Sequence, residues 1–183
     1  KGLMLPPGLA ILGVSPKSMK AMSEAGLPRT YFDIRDMAAS YAAGVFPYTP
    51  PVGLLNGLKS ATEMLLAEGL ENVFSRHHRI AEGIRRAVGA WGLQLCAARP
   101  ELYSDTVSAI RVPDGFDANR LVAHALKAYG VSFGTGLGEL SGKAFRIGHL
   151  GSLTEAMALS GIATAEMAMA DLGLPVRLGS GVA

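Results

Sequence analysis

The chain has 183 residues, of which 49% are hydrophobic and 17% charged, with a formal net charge of +2. Such a length holds one ordinary domain, or a domain plus part of another. So small a net charge excludes binding driven by a strongly basic surface, and neither a nucleic-acid nor a membrane partner is expected; no apolar run reaches the roughly 18 residues of a membrane span.

The opening "KGLMLPPGLAILGVS" reads as an apolar loop stiffened by Pro6 and Pro7, with Lys1 as its first residue. Ser15 as N-cap and Pro16 at the first helical position predict a short helix over residues 16–26, closed by Gly26. Residues 27–53 are rich in aromatics, carry Pro28, Pro47, Pro50 and Pro51, and are expected to be irregular. A loop of that length in a compact domain is usually functional or covers something. Two amphipathic helices follow. The first places Leu54, Leu55, Leu58, Ala61, Leu65 and Leu66 on one face. The second places Leu70, Val73, Phe74, Ile80, Ala81, Ile84, Val88 and Trp91 on one face and ends at Gly92.

The period then changes. "LQLCA" and "VSAIRV" read as strands, residues 117–130 as a helix with Asp117 as N-cap, and "VSFGTGL" and "AFRIGHL" as two more strands. The last helix is expected to open with a capping box from Ser152 to Glu155 and to run to Gly173. Residues 174–183 read as a loose tail. The pattern is that of an α/β chain in two regions joined near Trp91, helix-rich first and strand–helix–strand after.

Motifs narrow the chemistry. The single cysteine, Cys96, has no partner for a disulfide and no CxxC for a metal, so it is expected as a small core residue in a buried strand. That favours a reducing, cytoplasmic compartment. "FGTGLGELSGKAFRIG" is no phosphate loop: Leu137 stands where the first glycine belongs, and Ala144 follows Lys143 where Ser or Thr is needed. The dinucleotide fingerprint also fails, because Glu139 stands at its third glycine. In "FRIGHLG", period two puts Phe145, Ile147 and His149 on one face and Arg146 and Gly148 on the other. Arg146 is therefore a carboxylate-holding arginine or an ordinary surface or ion-paired one. Thr49 is a simple cap or turn residue, or a phosphate-binding hydroxyl near a helix start. His77, His78 and His124 match no metal spacing, so no metal is expected, and His149 is expected to pack or to line a polar spot. The basic cluster "RHHR" at residues 76–79, with Arg85 and Arg86, reads as a solvated helical face.

Taken together and in this order, "KGLMLPPG", "FPYTPP", "GLENVFSRHHRIAEGIRRAVGAWGLQL" and "GTGLGELSGKAFRIGHLG" resemble the C-terminal half of the class V pyridoxal-phosphate aminotransferases. Within that class the chain looks most like the serine–glyoxylate aminotransferases. The resemblance implies a fold type I α/β architecture: residues 1–91 as the end of the large cofactor-binding domain with an interface loop and connecting helices, 92–173 as the small α/β domain, and 174–183 as a tail. It implies pyridoxal 5′-phosphate as cofactor, held covalently by Lys1, which is also the catalytic base. A primary amine is the side chain that condenses with an aldehyde.

The same resemblance implies that Thr49 reaches the cofactor phosphate across a homodimer interface, with Tyr48 beside it where some relatives have a tyrosine at the position of Phe46. It gives Arg146 the α-carboxylate of the substrate, and Gly136, within 134–138, the substrate side of the pocket. Relatives often have Ala-Thr-Asn after "FPYTP", where this chain has Pro51, Val52 and Gly53. The expected reaction passes the amino group of serine to glyoxylate, giving hydroxypyruvate and glycine, with alanine as the alternative donor. The family's pyridine-pairing aspartate, its ring-stacking aromatic and most phosphate contacts precede the lysine, so a missing N-terminal half is expected as partner. A chain of these residues alone is expected to be inactive. The alternative is a non-catalytic region that folds only on a partner chain.

Overall fold

The computed structural model describes residues 2–183, so Lys1 lies outside the described residues. The chain divides into two compact units, Leu3–Glu63 and Met64–Ala183.

The first unit holds α1 (Pro16–Glu24), α2 (Ile34–Ala42) and the greater part of α3 (Val52–Glu68). Ser15 caps α1, its hydroxyl accepting from the Ser18 N–H at 3.2 Å, with Pro16 in the first turn. The helix ends at an extended Ala25, one residue before the expected glycine. The segment 27–53, expected to be irregular, contains α2. Its N-cap is Asp33, whose carboxylate accepts from the Arg35 N–H at 3.0 Å and is gripped by the Arg35 guanidinium at 2.5 Å. The Arg35 hydrogen bonds hold the Asp33 carboxyl at about 2, against 3.8 ordinarily. Asp33 as a cap, with Asp36 in the first turn, was the available signal for this helix. α3 begins at Val52, ahead of the expected Leu54, because Pro50 and Pro51 already accept its first N–H bonds. Of its expected apolar face only Ala61 is buried, and Leu66 is 69% exposed. The opening loop crosses α3 closely: a side chain at Gly57 would meet Leu5 at 2.8 Å, and one at Gly8 would meet Leu54 at 2.7 Å.

The second unit contains α4 (Leu70–Ala90), β1 (Gln94–Leu95), β2 (Val107–Arg111), α5 (Ala118–Tyr129), β3 (Gly134–Thr135), β4 (Ala144–Gly148) and α6 (Glu155–Asp171). The strands form an antiparallel sheet in the order β1-β2-β4-β3. One sheet face meets the helices. Ile110, Phe145 and Ile147 point into a core with Ile80, Ile84, Val88 and Trp91 of α4 and its cap, Leu121 and Ala125 of α5, and Ile162, Ala165 and Met169 of α6. Covering one face of an antiparallel sheet leaves the other free. The strands are shorter than their apolar runs, since only Gly134 and Thr135 of "VSFGTGL" enter the ladder. Leu70 and Phe74, expected on the apolar face of α4, are exposed.

Four further expectations are corrected. Cys96 lies just past β1, its backbone N–H donating to the Ala109 carbonyl at 2.8 Å, and is half-buried rather than in the core. The N-cap of α6 is Thr154, accepting from the Met157 N–H, so the Ser152 box does not form. The tail is anchored. Glu166 is buried, and its carboxylate accepts from Trp91 Nε1 at 2.7 Å, the Gly179 N–H at 2.7 Å, the Ser180 hydroxyl and the Gly181 N–H. A buried carboxylate is tolerated when it is so fully hydrogen-bonded. Finally, the "RHHR" face is solvated only in part: His78, Arg79 and Arg86 are exposed, while Arg76, His77 and Arg85 are half-buried. Arg76 bridges Glu68 to the carbonyls of Gly151 and Leu153, His77 accepts the Gly151 N–H at 3.0 Å, His78 pairs with Asp105 and Arg79 with Glu155.

Candidate functional site

β4 alternates as its sequence predicts, with Phe145, Ile147 and His149 buried and Arg146 and Gly148 turned to the free face. The neighbours of Arg146 across the sheet are Ala109 on β2 and Gly134 on β3. Both are small, and any side chain at Gly134 would push the arginine by a few tenths of an ångström. A methyl group there would stand 3.1 Å from Arg146 Nε, because the arginine side chain lies over it. Arg146 Nε donates to the Thr135 carbonyl at 2.9 Å. This bond fixes the guanidinium plane while leaving its two terminal nitrogens free, and no Asp or Glu pairs with Arg146 among the described residues. A half-buried arginine held by its Nε alone presents the parallel N–H pair that a carboxylate takes in two-pronged fashion.

Gly136 sits beside it. Its N–H donates to the Ala144 carbonyl at 2.9 Å, and a side chain there would collide with the Leu140 carbonyl oxygen at 2.0 Å. The turn 136–140 is therefore pressed onto the start of β4, which only a glycine permits.

His149, one strand position beyond Gly148, is a buried polar brace. Its Nδ1–H donates to the Asp105 carbonyl, so Nε2 accepts from the Ser108 hydroxyl at 3.0 Å. Burial pushes its pKa below 6.5, consistent with a neutral ring. His77 and His124 are likewise occupied, with the Val73 carbonyl and with Asp171.

Tyr48 and Thr49 belong to the first unit. The Tyr48 ring lies 4.5 Å from that of Tyr31, which has a left-handed backbone with φ of 64°. Thr49 is exposed, three residues before α3 begins, and its hydroxyl makes no hydrogen bond among the described residues. An unoccupied hydroxyl near a helix start fits a phosphate, and an unpaired guanidinium fits a carboxylate. The structure thus places Gly136 and Arg146 together on one unit and Tyr48 and Thr49 together on the other. Lys1 lies outside the described residues.

No family model matches the chain. It is 74% identical over 183 residues to the L-aspartate–glyoxylate aminotransferase of Paracoccus denitrificans, all of this chain and 46% of that protein. Against the serine–glyoxylate aminotransferase of Hyphomicrobium methylovorum identity is 50%, over 99% of this chain and 45% of that protein. The crystal structure of pyridoxamine–pyruvate aminotransferase from Mesorhizobium loti superimposes with a TM-score of 0.93 at 37% identity, over 100% of this chain and 47% of the other. The chain spans about half the length of the curated relatives it matches. Resemblance, fold and relatives agree: the chain belongs to the fold type I, class V pyridoxal-phosphate aminotransferases and corresponds to their C-terminal half.

Proposed function

We propose that this chain is the C-terminal part of an amino acid–glyoxylate aminotransferase, with L-aspartate as donor. The observation that carries the carboxylate chemistry is Arg146: fixed through Nε to Thr135, unpaired at its terminal nitrogens, and cleared by Gly134. Its two terminal N–H groups receive the α-carboxylate shared by amino donor and oxo acceptor, and so set the orientation of the Cα–H bond. Lys1 supplies the amine that holds the cofactor, and its Nζ takes the proton from the substrate Cα. The Thr49 hydroxyl, with Tyr48 beside it, binds the cofactor phosphate. When bound, pyridoxal phosphate supplies the aldehyde and the electron sink that make the Cα proton removable.

Aspartate as donor is supported by the relative at 74% identity, named for aspartate and glyoxylate. Serine is the second reading, supported by the resemblance and by the relative at 50% identity; alanine remains the alternative within the class. The enzyme works as a homodimer completed by the half that precedes Lys1, in the reducing cytoplasm that suits one unpaired cysteine.

In the full-length enzyme, Arg146→Ala raises KM for amino and oxo acids alike, by about tenfold or more for a lost charge-assisted pair. Unchanged KM values for both would remove Arg146 from this role. Comparing kcat/KM for aspartate, serine and alanine, each with glyoxylate, ranks the donors.

A further inference from the structure

The two ends of the sheet are finished differently. On β3, Gly134 faces Arg146, and just beyond the strand the Gly136 N–H donates to the Ala144 carbonyl. Antiparallel pairing alternates, so Thr135 between them turns its own N–H and carbonyl outward. That carbonyl is taken by Arg146 Nε at 2.9 Å, a side chain of the neighbouring strand reaching round the edge. At the other end, Gln94 pairs with Arg111 and Leu95 with Ile110, and the Cys96 N–H donates to the Ala109 carbonyl at 2.8 Å. The same alternation turns the Leu95 N–H and carbonyl outward. Neither has a partner among the described residues. An edge left open in this way is a template for a further strand.

Beside this edge there is room. A cavity of about 590 Å³ lies between β1 and the last turns of α4, with Leu93, Leu95 and Ala98 on the strand side and Arg86, Val88 and Gly89 on the helix side. A strand added there gains main-chain hydrogen bonds from the edge and side-chain contacts from the helix. The cavity is basic. Glu82 is its one carboxylate and is shared between Arg85 and Arg86. Arg85 is 10% exposed and has Asp105 as well, whereas Arg86 is 79% exposed and has only its share of Glu82. The strand side runs on into Arg99, which pairs with no carboxylate among the described residues. A second copy docked edge to edge would set the same arginines against each other, while an acidic strand complements them.

We propose that the groove between β1 and α4 binds an extended acidic segment of another protein, which joins the sheet through the outward N–H and carbonyl of Leu95. This surface is separate from the transamination chemistry and does not depend on it.

The test titrates the full-length enzyme, with its cofactor, into a fluorescent heptapeptide of alternating glutamate and valine, capped at both ends, and follows anisotropy. Binding saturates. Methylating the peptide nitrogens along one edge weakens it by about tenfold or more, as expected for lost main-chain hydrogen bonds. Replacing the glutamates by lysine weakens it at least as much. In the protein, Arg86→Glu also weakens binding about tenfold, and because Arg86 is exposed the variant keeps its fold. Leu95→Pro removes the outward N–H, a change that an edge strand tolerates, and lowers affinity for the unmodified peptide. A peptide that does not saturate overturns the proposal, and so does equal affinity for the methylated or the lysine peptide. Should the peptide fail while the enzyme itself associates further, in a manner lost in Arg86→Glu, the occupant is a second copy and the proposal is likewise overturned.

Discussion

The two units bury their apolar residues very differently. The second builds a core through every one of its helices and both longer strands, from Ile80 and Ile84 to Phe145 and Met169. In the first, Ala61 and the capping Asp33 are the buried side chains, while Leu27, Phe32 and Tyr41 stand 83%, 78% and 86% exposed. Both units are apolar in composition. What differs is periodicity. In the second, apolar residues recur at 3.6 or 2.0 and can all turn to one side. In the first, apart from the helical spacing along α3, they are scattered among prolines, and an exposed apolar surface of that kind marks a place where other protein is received.

Mutation can break or sharpen this contrast. The largest effect is expected from Phe145→Ala, which empties the centre of the second unit and costs about 3–5 kcal/mol in chemical denaturation. Next comes Glu166→Ala, which leaves Trp91 Nε1 and two backbone N–H groups of the tail without an acceptor, at about 1–3 kcal/mol. Hydrogen exchange should show the amides of Gly179 and Gly181 losing protection in this variant. If they stay protected, the carboxylate is not the anchor.

Acid separates the units in a different way. The pKa of His149 is lowered by burial, so its contribution is complete above 6.5 and declines as pH falls below 6.5 towards the folded value. Asp33 is lowered to about 2 by Arg35, so its contribution is complete above 3.8 and is lost only as pH falls from 3.8 to about 2. Amide exchange during acid titration should therefore weaken first around Ser108 and His149 and only later at the start of α2. The smallest effect is expected from Phe32→Ala. It changes the stability of the chain by less than about 0.5 kcal/mol, since the ring is exposed, and reduces self-association in light scattering. A loss above 2 kcal/mol would mean that the first unit has a core after all.

Local signals were legible wherever one residue type does one job. Ser15, Asp117 and Gly130 bound their helices as their chemistry requires, and the alternation of "FRIGH" turned Arg146 away from the core. The errors have a common cause. Whether Arg76 and His77 meet water or the loop after β4, and whether residues 174–183 dangle or clasp Glu166, both depend on a partner distant in sequence. A charged side chain looks the same in a string whether its acceptor is solvent or a carbonyl 75 residues away.

By itself, then, the order of residues determined the class of fold, the family it resembles and the strand position and facing of Arg146, because periodicity and short motifs are properties of neighbouring residues. Only the folded chain decided which arginines are already paired and which remain free. That distinction leaves the terminal nitrogens of Arg146 open, since a guanidinium can bind a substrate only if no carboxylate of its own protein has taken it.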